Sequence, residues 1–368
     1  MKYIEEFRNG ELAKAIVEKI KKTVDPNRHY QFMEFCGGHT HAIYRYGIPD
    51  LLPENVELVH GPGCPVCVLP IAKVDQAIAL AQLPNVIFCS YGDMLRVPGS
   101  HKNSLLKAKA NGADVRMVYS VDDAIELAKN NPNKEVIFFG IGFETTTPPT
   151  VVAIKQAKAM NLKNFSVFCN HVLTPPALAA ILTLQTKSSL NGFIGPAHVS
   201  IIIGSEAYKK VCQQYHKPMV IAGFEPLDVL HTLLMLIQQV NENRCDVENQ
   251  YTRAVTKEGN VISQQLMYDV LELRETFEWR GLGWIPNSAL SIKKEYERFD
   301  AEKKFEIPMI ESEEHQGCEC GAILCGLKKP CDCKLFEKVC NPENPVGACM
   351  VSAEGACAAY YAYGRHKK

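Results

Sequence analysis

The feature that most constrains this chain is a rhythm. Between about residue 29 and residue 225, short runs rich in β-branched and aromatic residues alternate with amphipathic stretches. The runs "HYQFMEF", "NVELVHG", "NVIFCSY", "DVRMVYS", "EVIFFGIG", "NFSVFCN", "NGFIGP" and "MVIAGFE" read as strands. Segments between them, such as "PIAKVDQAIALAQL", "VDDAIELAKNN", "PTVVAIKQAKAMN" and "PPALAAILTLQ", read as helices. Strands separated by helices pair in parallel and need cover on both faces, so the pattern predicts an α/β fold with parallel sheets. The rhythm restarts after "GFETTTPPT", which predicts two similar α/β domains, 29–143 and 144–226, rather than one large sheet. An amphipathic helix within 1–28 is expected to pack on the C-terminal unit, 227–368, where a long helix gives way to irregular, cysteine-rich sequence.

Composition narrows the class. At 368 residues with 46% hydrophobic content, the chain can bury a real core, and a formal net charge of -1 gives no electrostatic reason to expect nucleic acid or an anionic membrane surface. The first residues form no signal-peptide apolar block and no run has the length of a membrane span, so a cytoplasmic location is expected. Fifteen cysteines are then too many to be structural staples, because a reducing compartment keeps such pairs open. Cys89, Cys169 and Cys212 sit in apolar runs and read as buried small hydrophobes, while Cys245 carries no signal.

The remaining thiols fall where open parallel sheets bind ligands, beyond the carboxyl ends of strands. "FCGGHTH" places Cys36 at a strand end, with two glycines for close backbone approach and His39 and His41 beyond. Amides of that turn and the following helix start are expected to lower the thiol's pKa, giving a nucleophile or a soft metal ligand. "GPGCPVC" repeats the arrangement with Cys64 and Cys67 in a Cys-x-x-Cys frame. This reads as a redox pair with Cys64 as nucleophile; half of a metal site and plain buried thiols are the alternatives. Glu144 in "GFETTTP" is a candidate proton acceptor or hydrogen-bonding group, against a plain helix start opened by proline. His198 in "GPAHVS" is a candidate on the same terms, against a structural histidine. Asp93 and Arg96 carry a weaker signal.

From residue 318 onward eight cysteines occur with few large apolar side chains: Cys318, Cys320, Cys325, Cys331, Cys333, Cys340, Cys349 and Cys357. Such a segment cannot build its own hydrophobic core, so an inorganic group is expected to order it. Irregular spacing and the absence of paired hooks favour four thiolates on an iron–sulfur cluster over zinc. No glycine-rich phosphate loop of either common type occurs, so no bound nucleotide is expected.

Taken together and in order, "CGGHTH", "GPGCPVC", "GFETTTP", "GPAHVSIIIG" and the tail "CKLFEKVCNPENPVGACMVSAEGACAAYYAYG" resemble the HypD family, maturation factors for the iron centre of nickel–iron hydrogenases. The resemblance spans essentially the whole chain. It implies two Rossmann-like α/β domains plus a mainly helical and irregular domain holding a 4Fe-4S cluster. It also implies a scaffold that, with the small chaperone HypC, supports assembly of Fe(CN)2CO. Cyanide would come from HypE with HypF, and the product would pass to the hydrogenase large subunit. On this chain, Cys36 would hold the transient Fe(II), Cys64 and Cys67 would exchange electrons, and His39, Glu144 and His198 would line the cleft. Cys333, Cys340 and Cys357, with Cys318 or Cys320 and Cys349 in reserve, would hold the cluster. A thiol–disulfide reductase acting on a protein substrate is the other reading.

Overall fold

In the computed structural model, which describes residues 4–184, 190–308 and 310–364, all eight runs that read as strands are strands. They are β1 (Tyr30–Glu34), β2 (Val56–His60), β3 (Val86–Ser90), β4 (Asp114–Met117), β5 (Glu135–Gly142), β6 (Phe165–His171), β7 (Leu190–Gly195) and β8 (Met219–Ile221). A short ninth, β9 (Val247–Asn249), extends one edge. Every pairing among these nine is parallel, an arrangement that the helical connections between strands make possible. Residues 1–3, Gln185 and residues 365–368, which fall in expected elements, lie outside the described residues.

The strands sort into two sheets with the orders β2-β1-β7-β8-β9 and β4-β3-β5-β6. The expectation of two consecutive halves therefore gives way to an interleaved arrangement. β3 to β6 form a complete sheet between β2 and β7, and the first sheet closes only when β7 returns beside β1 with Phe32 opposite Gly192. A cut at residue 143/144 would separate β5 from its neighbour β6, which are paired from Val136↔Phe165 to Gly142↔His171. What set the expected boundary was a turn signal, and turns do not reveal which strands become neighbours.

The N-terminal helix α1 (Gly10–Thr23) is capped by Asn9, whose side chain accepts from the N–H groups of Glu11 and Leu12. It packs on the expected unit 227–368, but on that unit's long helix and not on its cysteine-rich part. Val17 and Ile20 instead bury against Leu230, Leu233 and Ile237 of the long helix Pro226–Asn241, with Tyr30 and Phe32 of β1 behind them. That helix offers the broader apolar face, and the tail has little apolar surface to compete with it. Each such side chain contributes about 1.5–3 kcal/mol as an upper estimate.

After residue 249 the chain is mainly helical and irregular, as expected, with one addition. Thr276–Trp279 and Gly283–Pro286 form an antiparallel hairpin, and Leu271–Leu273 pairs with Leu290–Ile292. The hairpin turn needs Gly281 at φ +79°, and its backbone lies so close to Gly321 that a side chain at either position would collide with the other. Through this contact the hairpin braces the cysteine-rich unit. Among the described residues no helix is long and apolar enough to cross a membrane.

Candidate functional site

The site begins where β1 ends. Cys36 is extended (φ -151°, ψ 127°) and immediately precedes α2 (Gly37–Arg45). Three glycines let separate segments meet at this point. A Cβ on Gly63 would strike the backbone of Phe35 and Cys36, one on Gly38 the ring of Phe224, and one on Gly37 the side chain of Glu354. The Gly37 N–H donates to the Gly63 carbonyl at 3.2 Å, so the Cys36 and Cys64 loops lie side by side.

The thiol itself departs from expectation. Amides of Gly38 and His39 do pull its pKa down, but burial is the larger effect, and Glu354 and Glu34 add to it, so Cys36 is pushed up to about 12. A few oriented amides cannot outweigh desolvation beside two carboxyl groups. Burial therefore favours the neutral thiol over the thiolate at Cys36.

His39 is fully buried, with Nε2 at 3.0 Å from the Ala222 carbonyl and 3.1 Å from that of Gly223. These acceptors require the proton on Nε2, and burial lowers the pKa, so the ring is neutral with its lone pair on the unpartnered Nδ1. His198 is exposed. Its ring lies 4.2 Å from that of Phe224, which faces His39 at 4.8 Å, so Phe224 stands between the two histidines. Glu144 follows β5 and is fully buried, accepting from the N–H (2.8 Å) and hydroxyl (2.9 Å) of Thr174. Burial pushes its carboxyl up to about 7 despite those donors. Glu144 and Cys36 both lie within electrostatic range of the buried Tyr208 hydroxyl and help raise its pKa.

Cys64 and Cys67 form a disulfide at the start of the short helix Pro65–Val68, and the Cys67 N–H donates to the Cys64 sulfur at 3.3 Å. Pro65 and Val66 also line a cleft of about 440 Å³ with Tyr91, Asp93, Gly142 and Glu354. This cleft is open at the carboxyl ends of β3 and β5, as the parallel-sheet rule anticipates.

A second disulfide, Cys320–Cys349, has no counterpart among the sequence-based expectations. Cys67 Sγ lies 3.9 Å from the carbonyl of Ala348, the residue before Cys349. The two disulfides thus stand one residue apart. Beyond the second lies a cavity lined by Cys318, Cys333, Cys340 and Cys357, walled by Ile323, Leu335, Phe336 and Met350. All four cysteines are free thiols. Pairing with Cys349 removes Cys320 from the expected cluster ligands, and Cys349 from the reserve, because a disulfide sulfur offers no thiolate. Cys325 turns away to the Gly281 carbonyl, and Cys331 is exposed.

These four residues suit a polynuclear metal group. Among the described residues no three metal-binding side chains approach a single point as ligands of one ion would. The thiols instead line one small cavity of about 20 Å³, and any side chain at Gly347 would fill the space beside the Cys318 sulfur. Burial raises Cys357 well above its ordinary value, and Cys340, Cys318 and Cys333 raise it further. Four thiolates so placed require a positive centre. Backbone N–H groups already point at the sulfurs, including Val346 to Cys340 at 3.4 Å. Arg96 ties the unit to the loop after β3 through the carbonyls of Val351 (2.8 Å) and Pro342 (3.3 Å).

The sequence profile of the HypD family, described as "Hydrogenase formation hypA family", matches residues 11–364. The chain is 60% identical to the hydrogenase maturation factor HypD of Azotobacter vinelandii, covering 100% of this chain and 98% of that one. It is 56% identical to HypD of Cupriavidus necator over 100% and 98% of the two chains. With HypD of Escherichia coli K12 the identity is 46%, over 99% and 98%.

Proposed function

The chain belongs to the HypD family of hydrogenase maturation factors, and from that premise we propose that it is the scaffold on which the iron of a nickel–iron hydrogenase receives its diatomic ligands. Iron(II) is the cargo, held by Cys36 in complex with a HypC-type chaperone, with cyanide delivered by a HypE-type donor. A buried thiol raised to about 12 suits such a holding role, because it stays protonated and unreactive when empty and releases its proton as the metal binds. Thiolate sulfur is a soft donor suited to an iron carrying cyanide and carbon monoxide. The neutral His39, with Nδ1 unpartnered, and Glu144, poised near neutrality, supply an acceptor and a proton-holding group in the same region.

The observation that carries this reading is the continuity of sulfur. Cys36 lies against the Cys64 loop, Cys67 against Ala348, and Cys349 with Cys320 against the four-thiol cavity. Cys318, Cys333, Cys340 and Cys357 would hold a 4Fe-4S cluster, which when bound supplies electrons singly. Once an external one-electron donor, acting twice, and two protons have reduced the Cys320–Cys349 bond, that dithiol would pass two electrons and two protons to the Cys64–Cys67 bond by thiolate attack through a mixed disulfide, returning Cys320–Cys349 to the disulfide. That leaves a dithiol beside the iron-holding thiol. The in-line disulfides also favour a second reading, a reductase for a protein substrate.

Anaerobic purification with the chaperone partner, followed by infrared spectroscopy, separates the two. The scaffold reading predicts bands of metal-bound cyanide and carbon monoxide that vanish in Cys36→Ala. Bands that persist in that variant contradict it.

A further inference from the structure

A buried polar network lies beneath Cys36, and apart from the charge of Glu34, which helps raise that thiol, neither the iron-holding nor the electron-passing chemistry uses it. Glu34, the last residue of β1, is 1% exposed. Its Oε2 accepts the backbone N–H of Cys36 at 3.0 Å. Its Oε1 accepts the hydroxyl of Thr40 and faces His60 Nδ1 at 2.8 Å. The far side of the same imidazole, Nε2, lies 2.9 Å from the hydroxyl of Tyr44. One tautomer satisfies every member: Nδ1–H donates to Glu34, and Nε2 accepts from Tyr44.

Each arm of the network ends at a different sulfur centre. Glu34 holds the peptide of Cys36. His60 closes β2, and the three residues after it form the turn that delivers Cys64. The Tyr44 ring meets Tyr360 edge-on, with centroids 5.2 Å apart, on the helix Ala356–Tyr363 that carries Cys357. A second contact joins α2 to that helix, where His41 Nε2 lies 3.0 Å from the Tyr363 hydroxyl.

Resting on the scaffold reading, we propose that Glu34, His60 and Tyr44 are positioning residues that fix Cys36 relative to the Cys64–Cys67 pair and to the Cys357 helix. Apolar side chains in these places would pack, but packing alone tolerates small slips between neighbouring loops. A buried network with every group satisfied admits one arrangement, because any slip strands a donor or acceptor away from water. Exchange between sulfurs and capture of a metal both depend on placement to within a fraction of an ångström. The network supplies that placement without touching the reacting atoms.

The test uses the anaerobically purified full chain without its partners. Alkylation by iodoacetamide is followed cysteine by cysteine with mass spectrometry. Cys89 is also buried, at 0% exposure against 7% for Cys36, and lies in the other sheet, so it serves as the internal reference. Glu34→Ala and His60→Ala are expected to raise the Cys36 rate about tenfold relative to Cys89, and Tyr44→Phe about threefold, as loss of buried hydrogen bonds opens the loop. Glu34→Gln still accepts the Cys36 N–H but loses the charge that helps keep the thiol protonated, so it restores only part of the protection lost in Glu34→Ala; no restoration at all would assign the effect to charge and overturn the positioning role. Equal acceleration of Cys36 and Cys89 would mean general loosening and overturn the proposal, as would an unchanged Cys36 rate. Should the alanine variants fail to fold, Tyr44→Phe decides alone, since it removes one hydroxyl and keeps the ring against Tyr360. The wild-type infrared bands judge the scaffold reading separately, so either idea can fail without the other.

Discussion

Cysteine is buried in two quite different ways in this molecule. Cys89 and Cys169 lie inside β3 and β6, among Ile87, Phe138, Val167 and Phe165, and burial pushes each thiol up to about 12. Cys318 is raised almost as far, to about 11, and Cys357 is also well above its ordinary value, yet these two face other thiols across a cavity. Depth alone therefore does not mark a functional thiol. In the sheets, sulfur substitutes for a small hydrocarbon group in a core that aromatic and branched residues already hold together. In the tail, on the proposed reading, a metal group held by the thiols takes the place of part of a core that Ile323, Leu324, Phe336 and Met350 otherwise supply.

The largest effect is expected where that replacement is removed. Cys357→Ser should abolish bound iron and expose the amides of residues 318–364 to hydrogen exchange by orders of magnitude, while β3, β5 and β6 keep their protection. Equal protection in variant and wild type would show that the tail folds on packing alone. Next comes Cys36→Ala, which should eliminate the infrared bands but lower Tm by only a few degrees, since it deletes one sulfur at a cleft.

Glu144 sharpens the contrast through pH. Its carboxyl is held at about 7 by burial, against an ordinary 4.5, so the folded chain binds this proton more tightly than the unfolded chain does. The stabilisation is complete below about 4.5 and is lost as pH rises through about 7. Glu144→Gln should remove that part of the decline in denaturant-measured stability; an unchanged slope would show that the carboxyl is not protonated in the fold. The smallest effect belongs to Cys89→Ala, about 1 kcal/mol of stability with iron content unaltered. A loss of iron there would erase the distinction between the two classes of thiol.

These contrasts also explain what could be read from the residues in order. Strand and helix positions were legible because hydrophobic period is a local property, as in "EVIFFGIG" and "VDDAIELAKNN". The interleaving of the sheets was not, since the pairing of β1 with β7 joins segments on either side of a complete second sheet. The loops bearing Cys36 and Cys64 lie together, as the rule for parallel sheets anticipates, whereas the ionisation of Cys36 was not legible, because adjacent amides are visible in a sequence and depth is not. The Cys320–Cys349 disulfide escaped notice for a similar reason: its cysteines share no motif and meet only through the fold. Glu34 did leave a trace, a lone acid at the end of the apolar run "HYQFMEF". The second trace was His60 just ahead of "GPGC", and only the structure joins the two.

The central claim is that the two disulfides act in series between the four-thiol cavity and Cys36. Cys64 and Cys67 are almost wholly buried, which shields their bond from direct attack by dithionite. Treating anaerobic full-length protein with dithionite, trapping thiols by alkylation and locating them by mass spectrometry reads the path directly. The account predicts a reduced Cys64–Cys67 pair in the wild type and an oxidised one in Cys349→Ser. Equal reduction of that pair in both proteins would contradict it.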